Sequence, residues 1–348
     1  MRTLLLLLLL SPQEDLSRQI DDLVGKSITA DTPGCAVLVV KGGEVVHKKG
    51  YGLANLEHKV AITAETVFDL ASVSKQFTAT AVMILADRGE LSLDDDIRKT
   101  LPEMPEHSKE RPIRVRDLLN QVSGLKDYLG LLDQVKGDPD KLTNEGALKL
   151  VAEQKLDFPT GTKWAYCNSN YCLLSTIVAR VSKKKFGDFL KAEIFDPLGM
   201  KGAALFDDAR KVIPNRAYGY GKRGKGWTVQ HSDLATTGDG AILLSLEDFV
   251  LWDKALREGK LVKAETLKLA WSAGKLDGGK EHGYGFGWSV ARADDKLVID
   301  HSGGWAGAAT WIGRWVDEGL TVVVLSNIAP GFEPAGVGRK IAKICRGK

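Results

Sequence analysis

The spacing of apolar residues changes twice along this chain, and the changes divide it into three parts. Leu16, Ile20 and Leu23 recur at helical intervals, which predicts a helix over Glu14 to Leu23. Cys35 to Val40 is an apolar run ending at Lys41-Gly42-Gly43, and Glu44 to Gly50 resumes a strand pattern. That stretch reads as a β-hairpin with a glycine turn. A short apolar segment, Val67 to Leu70, leads into Ser72. From Ser72 the period becomes helical, with Phe77, Ala81, Ile84 and Leu85 repeating until Gly89 ends it. Helices then dominate to about Leu269, over Val115 to Gln121, Asn144 to Gln154, Ser169 to Ser182, Phe186 to Ile194 and Ser245 to Glu258. Ser245 and Asp248 form a capping pair at the start of the last. After Gly283 the strand pattern returns in Tyr284 to Arg292, Lys296 to His301, Ala308 to Val316 and Leu320 to Ser326. Turns are expected at Asp294-Asp295, Gly303-Gly304 and Asp317-Glu318-Gly319, and a helix over about Gly336 to Cys345 closes the pattern.

Strands towards both ends with helices between them imply an α/β (α+β) fold built on one antiparallel sheet. The sheet is assembled from the two chain ends, its flanks covered by helices, with an inserted all-helical lobe. The expected organisation is a leader over residues 1–12 and a single domain over 13–348. Its α/β lobe takes about 13–70 and 280–348, and its helical lobe about 71–279. A cleft between the lobes is the natural place for a site.

Composition narrows the function by exclusion. Basic and acidic residues number 48 and 45, a formal charge of +3, and the basic ones are spread along the chain. Lys183-Lys184-Lys185 reads as a solvated helix end, so nothing asks for a nucleic acid or an acidic partner. Cys35, Cys167, Cys172 and Cys345 show no C-x-x-C spacing and no paired histidine, so neither a metal site nor a cofactor is expected. They read as small buried thiols. Arg2 before the leucine run to Leu10 has the character of a secretory leader, which points to export, with a cytoplasmic protein as the rival. The run is too short for a bilayer, which needs about 20 apolar residues, so no stable membrane span is expected.

The chemistry sits in three short stretches. Ser72-Val73-Ser74-Lys75 places a serine three residues before a lysine where a helix begins, so both side chains share a face. The positive end of the helix favours a developing alkoxide at Ser72, and a lysine left neutral by its surroundings can act as base. Ser123/Lys126, Ser182/Lys185 and Ser272/Lys275 repeat the spacing, but only Ser72 opens a long amphipathic helix directly after a strand-like segment. Tyr166-Cys167-Asn168 adds a phenol and an amide, and His301-Ser302-Gly303-Gly304 a histidine and a glycine pair. Nucleophile, base and backbone N–H groups are the parts of an acyl-transfer site. Each piece alone has a plainer reading: a capping serine, a satisfied buried tyrosine, a strand-end histidine. Their combination reverses the odds.

Together these motifs resemble those of the serine β-lactamase and penicillin-binding-protein superfamily, in its class C-like branch with esterases and D-amino-acid peptidases. Asp117-Leu-Leu-Asn-Gln-Val-Ser-Gly124, Phe158-Pro-Thr-Gly161, Gly238-Asp-Gly240 and Gly319-Leu-Thr-Val-Val-Val-Leu-Ser-Asn327 extend the likeness from about Pro33 onward. The resemblance implies the superfamily's α/β sandwich with an inserted helical lobe. It makes Ser72 the acylated nucleophile, Lys75 its activator, and Tyr166 a partner base that returns the proton to the leaving group. Asn168 would bond Lys75 or the substrate's acyl side, and the N–H groups of Ser72 and Gly304 would form an oxyanion hole.

Two departures bear on substrate. His301 stands where β-lactamases usually carry lysine, and a mostly neutral histidine can bond the Tyr166 hydroxyl instead. Asn120-Gln121-Val122-Ser123-Gly124 replaces a His-Thr-Ser-Gly-like run, which implies a changed loop beside the site. The function expected is a serine hydrolase of small esters, amides or D-amino-acid peptides, with weak or no β-lactam turnover. A true β-lactamase, a D-Ala-D-Ala carboxypeptidase, a sensor that acylates without turnover and an assembly-forming relative remain the alternatives. Among Trp227, Trp271, Tyr284, Trp288, Trp305 and Trp311, Trp305 is the best candidate for an acyl pocket, the others reading as core or sheet-face residues. Gly303 and Gly304 complete the expected site. The expected partner is a small-molecule or peptide acyl substrate, and no feature sets an oligomeric state.

Overall fold

Val37, Val39, Val322 and Val324 point to one side of a central sheet, and Ala36, Leu38, Val40, Val323 and Leu325 to the other. Both sets are fully buried, so these strands are apolar on successive residues rather than on alternate ones. In the computed structural model, which describes residues 12–347, the sheet has six antiparallel strands. They are β1 (Cys35–Lys41), β2 (Glu44–Tyr51), β3 (Ser289–Ala293), β4 (Lys296–Trp305), β5 (Ala308–Trp315) and β6 (Leu320–Ser326), in the spatial order β3-β4-β5-β6-β1-β2. Val37 pairs with Val324 across the seam where the two ends of the chain meet.

The outer face is covered by α1 (Pro12–Gly25), through Ile20 and Val24, and by α5 (Pro334–Cys345), through Ile341 and Ala342. Cys35 and Cys345 lie in the same layer and, like Cys167 and Cys172, are buried free thiols. The inner face packs on the insert, whose main helices are α2 (Lys75–Asp87), α3 (Asn168–Ser182) and α4 (Leu246–Glu258). Ser245 and Asp248 make the expected reciprocal cap of α4. A buried ion pair locks α4 to the sheet. Arg314 on β5 meets Asp253 at 3.2 Å, while Asp253 also accepts from Thr321 at 2.6 Å and from Arg257 at 2.9 Å.

Several details depart from the pattern-based reading. The insert is mainly helical but not wholly so. Gly219–Arg223 pairs with Gly226–Gln230, and Ile242–Leu244 is flanked by Phe68–Asp69 and Ala204–Leu205. Strand β3 begins at Ser289 rather than Tyr284, because Gly287 takes a left-handed conformation (φ 76°) that interrupts an extended run. Gly303-Gly304 is not a turn: both residues lie within β4, opposite Thr310 and Ala309, and the chain reverses after Trp305. The expected leader, residues 1–12, lies outside the described residues except for its last position. No helix among the described residues is long and apolar enough to cross a membrane.

Candidate active site

Ser72 stands not in α2 itself but in a 3-10 turn, Ala71–Ser74, that leads into it. Ala71 before it has φ 47°, an uncommon conformation for a residue with a side chain. The surroundings hold it there. Asp69 Oδ1 accepts the Ala71 N–H at 2.8 Å, Leu70 N–H donates to the Ile242 carbonyl at 2.9 Å, and Thr310 Oγ1 donates to the Leu70 carbonyl at 2.7 Å. Strand β4 lies directly against this turn. A Cβ on Gly303 would come within 2.2 Å of the Leu70 carbonyl oxygen, so the glycine is there for close approach, not for a bend.

Lys75, the first residue of α2, is wholly buried. Its Nζ lies 3.0 Å from Ser72 Oγ, 2.9 Å from Asn168 Oδ1 and 2.7 Å from the Asp239 carbonyl oxygen. The last two groups can only accept. Both therefore take N–H bonds from Lys75, and Ser72 Oγ is the third group on the same nitrogen. Thr78 Oγ1 donates to the Gly238 carbonyl at 2.6 Å and fixes the segment that carries Asp239. Gly238 (φ 98°) passes so near α3 that a Cβ would lie 2.5 Å from the Tyr171 carbonyl oxygen. The three rival Ser-x-x-Lys pairs are spent elsewhere. Ser123 Oγ donates to Asn170, Ser182 to the Val178 carbonyl and Ser272 to the Lys268 carbonyl.

Tyr166 brings its ring to 4.9 Å from Lys75 Nζ, and it is one of the more exposed large side chains. His301 lies 6.1 Å from it, ring to ring, but bonds elsewhere than expected. Its Nδ1 donates to the Ser302 carbonyl at 2.7 Å, which leaves Nε2 to accept from the Tyr284 hydroxyl at 3.0 Å. The expected Tyr166 bond is therefore replaced by one to Tyr284, because Tyr284 is buried directly behind the ring and Tyr166 stands at the surface. Burial, reinforced by the nearby Lys75 charge, pushes the His301 pKa down to about 3.

From Ser72 a cavity of about 1020 Å³ opens along the insert, lined by Asn168, Tyr128, Asp239, Gly304 and Trp305 among others. A Cβ built on Gly304 meets nothing within 4 Å, so the backbone there borders open space. Tyr166 and His301 are not part of the lining. Of the aromatic candidates, only Trp305 borders the cavity, whereas Tyr284, Trp288 and Trp311 are buried in the core.

The structure thus gathers Ser72, Lys75, Asn168 and Asp239 by hydrogen bonds, with Tyr166, His301, Gly303, Gly304 and Trp305 around them. Asp127 was invisible to pattern reading. One of its oxygens accepts both the backbone N–H and the side-chain amide of Asn168. Asp239 contributes by its main chain, while its carboxyl accepts from Tyr128 at 2.8 Å. Burial raises that carboxyl above the usual range despite the pull of Lys75. An acid beside a tyrosine in the Ser123-to-Tyr128 loop was the only available signal for Asp127.

The family described as Beta-lactamase matches residues 17–345. Over 310 residues the chain is 31% identical to penicillin-binding protein 4* of Bacillus subtilis (strain 168), covering 84% of this chain and 67% of that protein. It is 29% identical over 299 residues to a D-aminopeptidase of Gluconobacter oxydans (strain 621H), with 85% of this chain and 56% of the other covered. It therefore spans little more than half the length of that relative. Among solved structures, the octameric penicillin-binding protein homologue from Pyrococcus abyssi superposes with a TM-score of 0.83 at 25% identity, over 97% of this chain and 78% of the other.

Proposed function

Because the chain belongs to the beta-lactamase family, we propose that it is a serine hydrolase working through an acyl-enzyme on Ser72, with small esters, amides or D-amino-acid peptides as substrates. The observation that carries this reading is the Ser72–Lys75 contact at 3.0 Å, made by a buried amine whose other acceptors are already fixed.

In this reading Lys75 takes the Ser72 proton as Oγ attacks the carbonyl carbon. The N–H groups of Ser72 and Gly304 receive the oxyanion, where losing one donor typically costs about 3 kcal/mol. Tyr166 passes the proton to the leaving group as its bond to the acyl carbon breaks. Water then attacks the acyl-enzyme, regenerates Ser72 and releases the acid. His301 supplies no charge. A neutral imidazole whose N–H is held by the Ser302 carbonyl brings no positive charge to the carboxylate of a β-lactam, which favours esters and amides over β-lactams.

The test is hydrolysis of p-nitrophenyl butyrate by the protein and by its Ser72→Ala variant, with intact mass followed during turnover. Steady turnover that disappears in the variant is the expected result. Turnover that survives in Ser72→Ala would overturn the assignment, and a burst that stalls with a lasting mass increase would mean acylation without release.

A further inference from the structure

The wall of the cavity carries a guanidinium that the chemistry above does not use. Arg216 borders the cavity together with Ala71 and Ser72. Its main chain bridges to Val67, and the Ala217 N–H donates to the Val67 carbonyl at 2.9 Å, which ties it to the segment leading into the nucleophile's turn. Glu65 and His58 also border the cavity, and three further charged groups on this wall are already engaged. Arg210 is held by both oxygens of Asp208, Lys211 donates to the Leu205 carbonyl beside Asp207, and His231 meets Asp233. Arg216 has no hydrogen bond to an acid among the described residues. Its guanidinium instead lies 3.9 Å above the centre of the Phe206 ring. Asp69 is near enough for its charge to act on Arg216, yet its own Oδ1 holds the Ala71 N–H. A guanidinium packed over an aromatic ring keeps its N–H groups available for a planar, two-pronged acceptor.

The side of Ser72 on which the cavity lies decides which part of a substrate meets Arg216. Tyr166, the proton donor to the leaving group, stands outside the cavity, whereas Asn168 and Gly304 border it. The leaving group must face Tyr166, so the cavity takes the acyl portion. Five exposed apolar side chains, Val60, Val212, Tyr218, Val229 and Trp305, ring the same space and suit the carbon chain of that acyl group.

We infer that this enzyme selects acyl groups that end in a carboxylate, an apolar chain along the Val212, Val229 and Trp305 rim placing its far end on Arg216. The inference rests on the acyl-enzyme reading for the direction of the substrate.

Two ester series test it: p-nitrophenyl half-esters of glutaric, adipic and suberic acids, and p-nitrophenyl esters of uncharged acids of equal chain length. The quantity read is the ratio of kcat/KM between charged and uncharged members. The wild type should favour the half-ester by about tenfold or more at one chain length. That ratio should fall to near one in Arg216→Gln and be partly kept in Arg216→Lys. No preference at any length, or a preference that survives in Arg216→Gln, would overturn the inference. Calorimetry on Ser72→Ala separates it from the hydrolase reading, with monomethyl adipate compared to methyl hexanoate. Tighter binding of the charged probe, lost when Arg216→Gln is added, supports the site whether or not any ester turns over. Equal binding of the two probes counts against it.

Discussion

One oxygen of Asp127 accepts two hydrogen bonds from Asn168, from its main-chain N–H at 2.8 Å and from its side-chain Nδ2 at 2.9 Å. An amide held by its nitrogen on one side must present its oxygen on the other, so Asp127 decides that Lys75 meets an acceptor. Without the carboxylate the amide is free to turn and offer N–H to the amine. Asp127→Ala is expected to lower kcat/KM for p-nitrophenyl butyrate about tenfold to a hundredfold, the scale of a small misplacement of catalytic groups. A rate in the wild-type range would remove Asp127 from the site.

Lys75→Met keeps most of the buried volume and removes the base. Acylation of Ser72, followed by intact mass and by p-nitrophenol release, should slow by about a hundredfold to ten-thousandfold, the usual weight of a positioned general base. Rapid acylation in this variant would hand the base role to Tyr166.

His301 makes the fold sensitive to acid. The native state holds the imidazole neutral, with its pKa pushed down to about 3, while the unfolded chain takes a proton near the ordinary 6.5. Its contribution to stability is therefore complete above about pH 6.5 and is lost as pH falls towards 3, by about 1.4 kcal/mol for each pH unit between. His47, pushed down to about 4 chiefly by burial, acts in the same direction. Urea midpoints for the wild type and His301→Gln should converge as the pH drops from 7 to 4. Parallel curves would show that His301 does not titrate with unfolding.

Asp253 and Arg314 are both almost fully buried, and removing Asp253 leaves Arg314 without its charge partner. Asp253→Ala should cost about 3–5 kcal/mol in urea unfolding. Replacing the two together, Asp253→Leu with Arg314→Met, should recover a large part of that loss. A double variant as unstable as the single one would show that the pair is not the source of the effect.

The sheet was legible in the sequence because β1 and β6 carry apolar runs, Cys35 to Val40 and Val322 to Leu325, between strong turn signals. Ser72 and Lys75 were legible because their spacing is local, three residues along the turn that enters α2. What escaped depends on meetings between distant segments. Asp127 reaches Asn168 across 41 positions, and Tyr284 reaches His301 by packing behind it rather than by any repeat. Gly303-Gly304 was misread for a physical reason. Glycine marks either a turn or a place where two backbones nearly touch, and the sequence does not say which.

The contact between Thr310 and Leu70 joins positions 240 residues apart. A ribosome makes the Leu70–Ala71 turn early and the strand that braces it late. Until β4 and β5 have emerged and docked, Thr310 cannot brace the Leu70–Ala71 turn, which has only its bonds to Asp69 and Ile242 to hold it. The nascent chain therefore carries its nucleophile without a complete site until β4 and β5 are made.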